Sequence, residues 1–413
     1  MPRHALAVLL YAALTSPISL PACAAPPAAT AAWTPTWSAP ADSPGPALQK
    51  LTLRQVLRTS TGGSQVRIRI SNLYGKAPLV VGAAHVAAHA GAGAIVPDSD
   101  RVLRFDGKPL VTVSPGASVV SDPVDFAVRP LQALAVSLYL PAPVPVATVH
   151  GTGMQTAWLA PGGDTTAAPT LPPGSTDDSR YFLTDVEVLG SAPARALAIV
   201  GDSIADGVGG REDHDERWPD LLAARLQREP DLAGIGIVNA GIAGNRILND
   251  ASKPFVGPSM LARFDRDALS RPGVRWILLH AGINDIAGGP FLKTPQDQVS
   301  AEQIVAGMGA LAARAHAQGV RIWIGTLPPF EGTKGFYDAA SERQRQAVNA
   351  WIRGSGAAAF DAVVDFDAAL RDPDHPGRLL PAYDSGDHLH PNAAGYAVMA
   401  DRIDLHLLRK GNL

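Results

Sequence analysis

Residues 199–209 read IVGDSIADGVG: an apolar run ends at Gly201, Asp202 and Ser203 follow, and small residues come next. In open α/β sheets, ligands sit beyond the carboxyl ends of the strands. If the apolar run is a strand, Ser203 stands where chemistry is done. A serine hydroxyl is a weak nucleophile, however, and needs a base beside it. On its own, Ser203 reads equally as a turn serine or a helix N-cap. Its surroundings decide the fold and the role.

From about Ala192 onward, short apolar runs alternate with amphipathic segments. Strands are expected at Leu197–Val200, Ile235–Val238, Trp276–Leu279, Ile322–Ile324 and Val363–Phe366. The clearest helix starts at Ser300, with Gln303 as a capping-box partner. It aligns Ile304, Met308 and Leu311 and stops near Gly319. A last helix runs from about Asn392 with Tyr396, Met399 and Ile403 in line. Such alternation predicts a parallel sheet covered on both faces.

Polar segments follow these strands: GDSIADG after the first, NAGIAGN (239–245) after the second, HAGIND (280–285) after the third. Past the fifth, SGDHLHPN (385–392) leads into the final helix. All four are expected at one sheet edge. Asp387 and His390 are three residues apart and can share a turn, so the carboxylate can fix the imidazole tautomer. The competing reading is a capped helix entrance with an exposed histidine. His388, next to Asp387, is expected to point elsewhere. An oxyanion needs donors aimed at the developing charge. Gly244 offers a backbone N–H that can come close, Asn284 a side-chain amide, and Ser203 its own N–H. Taken singly, Gly244 reads as a turn and Asn284 as a helix cap. Asp202 and Arg246 are candidates for the substrate cleft, as is Trp218, against the plainer reading of packed or paired side chains.

Before Ala192 the period changes to two. QVRIRIS sets Val66, Ile68 and Ile70 on one face and Arg67 and Arg69 on the other, and LAVSLYL aligns Leu134, Val136, Leu138 and Leu140. Turn signals at 61–64, 74–78, 106–107 and 114–116 punctuate the pattern. An all-β sandwich-like domain over 25–191 is the simplest reading, with a polar loop at 160–179. The α/β domain then covers 192–413.

The first 24 residues have the layout of a secretory signal. Arg3 is the positive end, Ala5 to Leu14 form an apolar core too short to span a bilayer, and Ala22-Cys23-Ala24 is the cleavage site. An exported protein with no membrane span is expected. LPAC, ending at Cys23, is the rival reading: a lipoprotein box. Cys23 is the single cysteine, so cleavage after Ala24 leaves no thiol for a disulfide, a metal or a nucleophile. With 46% apolar and 18% charged residues the chain is globular. A net charge of −3 offers no basic surface for nucleic acid. REDHDER (211–217) clusters acids around His214, but without a partner cluster it reads as a solvated loop, and no metal site is expected.

The blocks GDS, NAGIAGN, GIND and DHLHP, in this order over roughly 195–410, resemble the SGNH hydrolase superfamily, also called GDSL esterases and lipases. The resemblance implies a flavodoxin-like three-layer α/β/α fold. It implies Ser203 as nucleophile, His390 as general base, Asp387 as its orienter, and Gly244 and Asn284 as oxyanion donors beside Ser203 N–H. Ile204 stands where the family often has Leu. The G-x-S-x-G signature of the α/β-hydrolases is not met, because Ala205 occupies its last position. RISNLYGKAPLVVGAAHVA (69–88) resembles the β-rich module found ahead of some bacterial SGNH domains. The expectation is a cofactor-free esterase acting on a small-molecule or glycan ester; export and the extra β domain favour an acetylated polysaccharide. A lipase or arylesterase, an acyltransferase using the same site, and a non-catalytic glycan-binding protein are the alternatives.

Overall fold

The computed structural model describes Met1 and residues 32–250, 256–292 and 297–409. The signal-like segment, its cleavage site and Cys23 lie outside the described residues.

The C-terminal half carries five parallel strands: β1 (Arg195–Gly201), β2 (Ile235–Gly241), β3 (Val274–His280), β4 (Arg321–Gly325) and β5 (Ala362–Val364), in the order β2-β1-β3-β4-β5. This is the flavodoxin-like order, with its reversal between β1 and β3. Each expected strand is present. The last ends earlier than the sequence suggested, because Asp365 caps a short helix that begins at Phe366.

Alternation along the strands builds two cores. Ala196, Ala198 and Val200 of β1 face one side, together with Ile277, Leu279, Ile322 and Ile324. Leu197 and Ile199 face the other, with Trp276, Leu278 and Trp323. Among the described residues these faces are covered by α1 (Ser203–Asp206), α2 (Trp218–Leu226), α3 (Met260–Phe264), α4 (Ile283–Leu292), α5 (Ala301–Ala317), α6 (Ala339–Arg353), α7 (Phe366–Leu370), α8 (Ala393–Arg402) and α9 (His406–Arg409). The first face buries residues of α3, α4, α5 and α6; the second buries those of α1, α2, α7 and α8. The result is a three-layer α/β/α sandwich. Each aliphatic side chain buried this way contributes roughly 1.5–3 kcal/mol. The helix starting at Ser300 forms as expected, with both halves of its capping box made and Ile304, Met308 and Leu311 buried.

The N-terminal half is antiparallel. One sheet pairs Trp33–Ser38 with Leu183–Leu189, and the latter with Gly63–Ser71. The other centres on Leu51–Arg58, Ala133–Leu140 and Ala83–Gly91. Val66, Ile68 and Ile70 from the first sheet meet Leu134, Val136, Leu138 and Leu140 from the second in one core, all fully buried. The period-two reading therefore describes both sheets of a β domain. The 160–179 loop is more structured than expected. It contains a short strand, Ser175–Asp177, and the buried Arg54 guanidinium donates to the carbonyls of Thr166 and Ala168 within it.

The β domain also covers an open edge. β2 is the outer strand of the parallel sheet, and an outer strand leaves backbone groups to be satisfied. Ser60 Oγ accepts from Ile237 N–H at 3.0 Å, and Ser38 Oγ donates to Asn239 O at 2.9 Å. Farther along the boundary, Arg271 pairs with Asp185 at 2.9 Å. Among the described residues no helix is long and apolar enough to cross a membrane.

Candidate active site

Ser203 lies directly after β1 as the first residue of α1, and Asp202 is the N-cap, its carboxylate accepting from Ile204 N–H. The serine is thus neither a turn residue nor the cap itself. α1 lasts one turn and ends at Gly207, in the left-handed region at φ 100°. Gly209 follows at φ 93°, where a Cβ would stand 2.9 Å from His390 Cβ and 2.7 Å from Pro391 O. This close approach lets the segment Asp387–Pro391 lie against the end of α1.

There Ser203 Oγ donates to His390 Nε2 at 2.8 Å, and His390 Nδ1 donates to Asp387 Oδ2 at 2.5 Å. The hydroxyl and the carboxylate together fix the tautomer: Nδ1 carries the proton and Nε2 is free to accept one. Asp387 is set in turn by its own loop. Its Oδ1 accepts the backbone N–H groups of Leu389 and His390 at 2.9 and 2.8 Å. Burial alone would raise the Asp387 carboxyl, but the hydrogen bonds from His390 ring and backbone hold it well below the usual carboxylate range. His388 turns away, as expected from its spacing. It adopts φ 65° and pairs with Asp384 through Nδ1 at 2.6 Å.

The second and third loops meet beside this group. Gly244 has φ 76°, and a Cβ there would come within 2.5 Å of Val256 Cγ1. Asn284, in the first turn of α4, donates one amide N–H to Asn245 O at 3.1 Å, leaving the other for a ligand. Asp285 braces the same loop, accepting from Ile247 N–H and Leu248 N–H at 2.9 and 3.1 Å. Burial pushes Asp285 up to about 6, against these two bonds. Arg263, fully buried on α3, joins the ends of β1 and β2 to the loop that follows β2. It donates to Gly201 O, Ala240 O and Asn245 Oδ1 at 3.0, 2.8 and 2.9 Å.

Two expectations are corrected. Asp202 is buried beneath α1 rather than lining a cleft, and burial pushes its carboxyl up to about 7. Arg246 is also buried, paired with Asp297 and donating to Asp250 O, so it braces the loop instead of facing a substrate. Trp218 is packed against Phe366 with ring centroids 5.7 Å apart. REDHDER is not merely solvated. Asp213 accepts from Thr156 N–H and Oγ1, and Asp215 from Gln155 Nε2, which ties the loop to the β domain.

Sequence reasoning passed over Arg263, Asp285, and a second histidine group. His150 of the β domain, on the short strand Thr148–His150, sits 3.0 Å from Asp206 Oδ1 at the end of α1. Asp206 Oδ2 accepts from Ala243 N–H at 2.9 Å. Asp206 falls in the motif itself; the distant His150 left no local signal.

Comparison with curated protein sequences gives no match. Among solved structures, the chain is similar to an acetylxylan esterase from Geobacillus stearothermophilus, at 22% identity over 53% of this chain and 94% of that one, with a TM-score of 0.40. It is similar to a GDSL-like lipase from Bacteroides thetaiotaomicron at 18% identity, over 52% and 89%, with a TM-score of 0.39. An α/β hydrolase from the metagenome of Lake Arreo, Spain, aligns at 24% identity over 54% and 98%, with a TM-score of 0.41. Residues 199–398, which hold all four loops described above, match the model of the GDSL-like Lipase/Acylhydrolase family. The match lies within the C-terminal α/β domain and indicates a carboxylic ester hydrolase of the GDSL-like type.

Proposed function

We propose that the enzyme cleaves esters through an acyl-enzyme on Ser203. The observation that carries this reading is the aligned series Ser203 Oγ, His390 Nε2, His390 Nδ1, Asp387 Oδ2, at 2.8 and 2.5 Å. Ser203 Oγ attacks the ester carbonyl carbon while its proton passes to His390 Nε2. Asp387 stabilises the imidazolium that forms. The carbonyl oxygen, now negative, is held by Ser203 N–H, Gly244 N–H and the free Asn284 amide N–H. The tetrahedral adduct collapses, the C–O bond to the alcohol breaks, and His390 returns the proton to the departing alkoxide. Water then repeats the sequence on the acyl-enzyme: His390 takes its proton, its oxygen joins the carbonyl carbon, and the acid leaves as Ser203 regains its hydrogen. No step calls for a metal or an organic cofactor.

The substrate class we propose is an acylated carbohydrate met outside the cytoplasm. The signal-like first 24 residues support export. A cleft of about 370 Å³ supports a polar alcohol portion. It lies between the domains beside the Gly244 loop and is lined by Tyr74 and Leu73 from the β domain and by Asp250, Gly257 and Arg266 from the other. An aromatic ring among charged side chains suits a polyhydroxylated ring. Turnover of acetylated polysaccharide, measured beside aryl esters of increasing acyl length, tests the choice. Acetyl esters of glycans are expected to be cleaved with the highest kcat/KM. A preference for long acyl chains would overturn it. Ser203→Ala is expected to abolish turnover while leaving the melting temperature near the parent's, and retained turnover would remove the mechanism.

A further inference from the structure

His150 stands apart from the reacting groups, yet it faces only acceptors. Its Nδ1 lies 3.0 Å from Pro40 O and 3.5 Å from Asp42 Oδ2. Its Nε2 lies 3.0 Å from both Thr152 O and Asp206 Oδ1. A neutral imidazole has one donor and one acceptor nitrogen, so it cannot satisfy carbonyl and carboxylate oxygens on both sides. An imidazolium, with two donors, can. Its charge also compensates two carboxylates that are themselves buried.

Asp42 and Asp206 come from different domains. Asp42 is fixed by Ser43 Oγ at 2.5 Å and Gly151 N–H at 2.6 Å. Asp206 closes α1, which begins with Ser203, and its other oxygen holds Ala243 N–H. Ala243 immediately precedes Gly244. One carboxylate therefore connects the helix bearing the nucleophile to the loop bearing an oxyanion donor, and His150 holds that carboxylate from the β domain.

We propose that His150 is a positioning residue of the esterase site: its imidazolium fixes Asp206, and through Asp206 sets the register of Ala243 and Gly244 against Ser203. The inference rests on the reading of Ser203 and Gly244 given above. It assigns the β domain a part in catalysis without contact to substrate.

The charge state gives the assignment a pH signature. Burial by itself would lower His150, but the Asp206 charge and hydrogen bond, the Asp42 charge and the Pro40 carbonyl outweigh it and push the group up to about 9. Asp178 adds an attractive charge from its turn, and Arg180 occupies the register position opposite His150. Arg217 and Arg263 face Asp206 from α2's start and from α3. An unfolded histidine titrates near 6.5. A group raised on folding gives stability that is complete below about 6.5 and is lost as pH rises through about 9. Above that pH the neutral ring leaves one side unsatisfied, and the loop's register loosens.

The test uses His150→Gln, Asp206→Asn and the double variant in the full chain, with aryl acetate turnover measured from pH 6 to 10.5. His150→Gln is expected to lower kcat about tenfold or more at neutral pH with KM within about twofold, since misplacing a group by about an ångström costs up to about a hundredfold. The wild-type alkaline limb of kcat, near pH 9, is expected to vanish in this variant. Asp206→Asn should show the same loss of kcat and of the limb, so the idea stays testable if His150→Gln does not fold. The double variant, which removes both charges, should recover part of the activity lost in His150→Gln. A wild-type kcat and alkaline limb in either single variant would overturn the inference. Phosphonate labelling of Ser203 separates the two levels. If the wild type is labelled and active while the variants are unchanged, only the inference falls. If the wild type is not labelled, the reading of the active site falls and takes the inference with it.

Discussion

Of the histidines that meet aspartate in this molecule, His390 and His150 do opposite things with it. His390 has a carboxylate on one nitrogen and a hydroxyl that can give up its proton on the other. His150 has oxygen acceptors on both. The first ring can receive a proton and return it. The second, as proposed above, stays charged between its partners and serves to hold them in place. The pairing of His with Asp thus says little about function. What the far nitrogen meets decides it. A third case, His280, marks the other extreme: burial lowers it to about 4, and it packs edge-on against Phe366, with centroids 5.0 Å apart, as an apolar ring.

The comparison is broken most forcefully at the carboxylates. Asp387→Asn keeps the shape of the His390 group but can donate to Nδ1, turning the imidazole to the wrong tautomer. Such a change lowers kcat by about 10⁴ in a Ser-His-Asp site. The same exchange at Asp206 should cost about tenfold, because there the aspartate only positions a loop. Steady-state turnover of an aryl acetate by both variants checks the ranking. Equal losses would mean that the two groups are not distinct in kind.

How far the site could be read from the chain follows the same division. The meeting of Ser203 with Asp387 and His390 was legible because Ser203 follows a strand, and because Asp387 and His390 are close in sequence just ahead of the last long helix. The sandwich was legible because Val66, Ile68 and Ile70 keep a strict alternation. His150, Arg263 and Asp206 work across long sequence separations, 56 residues between His150 and Asp206 alone. No periodicity encodes that. Asp202 and Arg246 were misplaced for a related reason. Their polar side chains beside the motif looked like cleft residues, but one caps α1 and the other pairs with Asp297. Proximity in sequence to a nucleophile does not tell which side of the backbone a side chain takes.

A middle-sized effect is expected at Asn284. Its amide spends one N–H on Asn245 O, and in the proposed mechanism the other meets the oxyanion. Asn284→Ala removes a donor that acts only as charge develops, so kcat should fall about 10² to 10³-fold while KM changes little. Asn284→Asp would further place a negative charge at the same point and should be worse. If Asn284→Ala instead raised KM alone, the side chain would be a binding group for the ground state, and the oxyanion would rest on backbone donors.

The smallest effect sharpens the comparison from its other side. His388 and Asp384 reproduce the motif pair two to three residues away, with an Nδ1 to Oδ2 distance of 2.6 Å. Proximity alone would make them rivals for the role of base. His388 is half exposed, however, and its ring lies against Gly332, where a Cβ would meet it at 3.0 Å. Thr333 Oγ1 further holds the His388 carbonyl at 2.9 Å. Asp384 and His388 close one loop on itself at the surface, where a pair of this kind contributes about 0–1 kcal/mol, and the Thr333 bond ties that loop to its neighbour. Asparagine tolerates the left-handed backbone at this position, so His388→Asn should fold. Its kcat should stay within about twofold of the parent, with a melting temperature lower by at most a few degrees. A loss of kcat on the scale of Asp387→Asn would instead make His388 part of the proton path, and it would end the claim that the far nitrogen's partner is what separates a base from a brace.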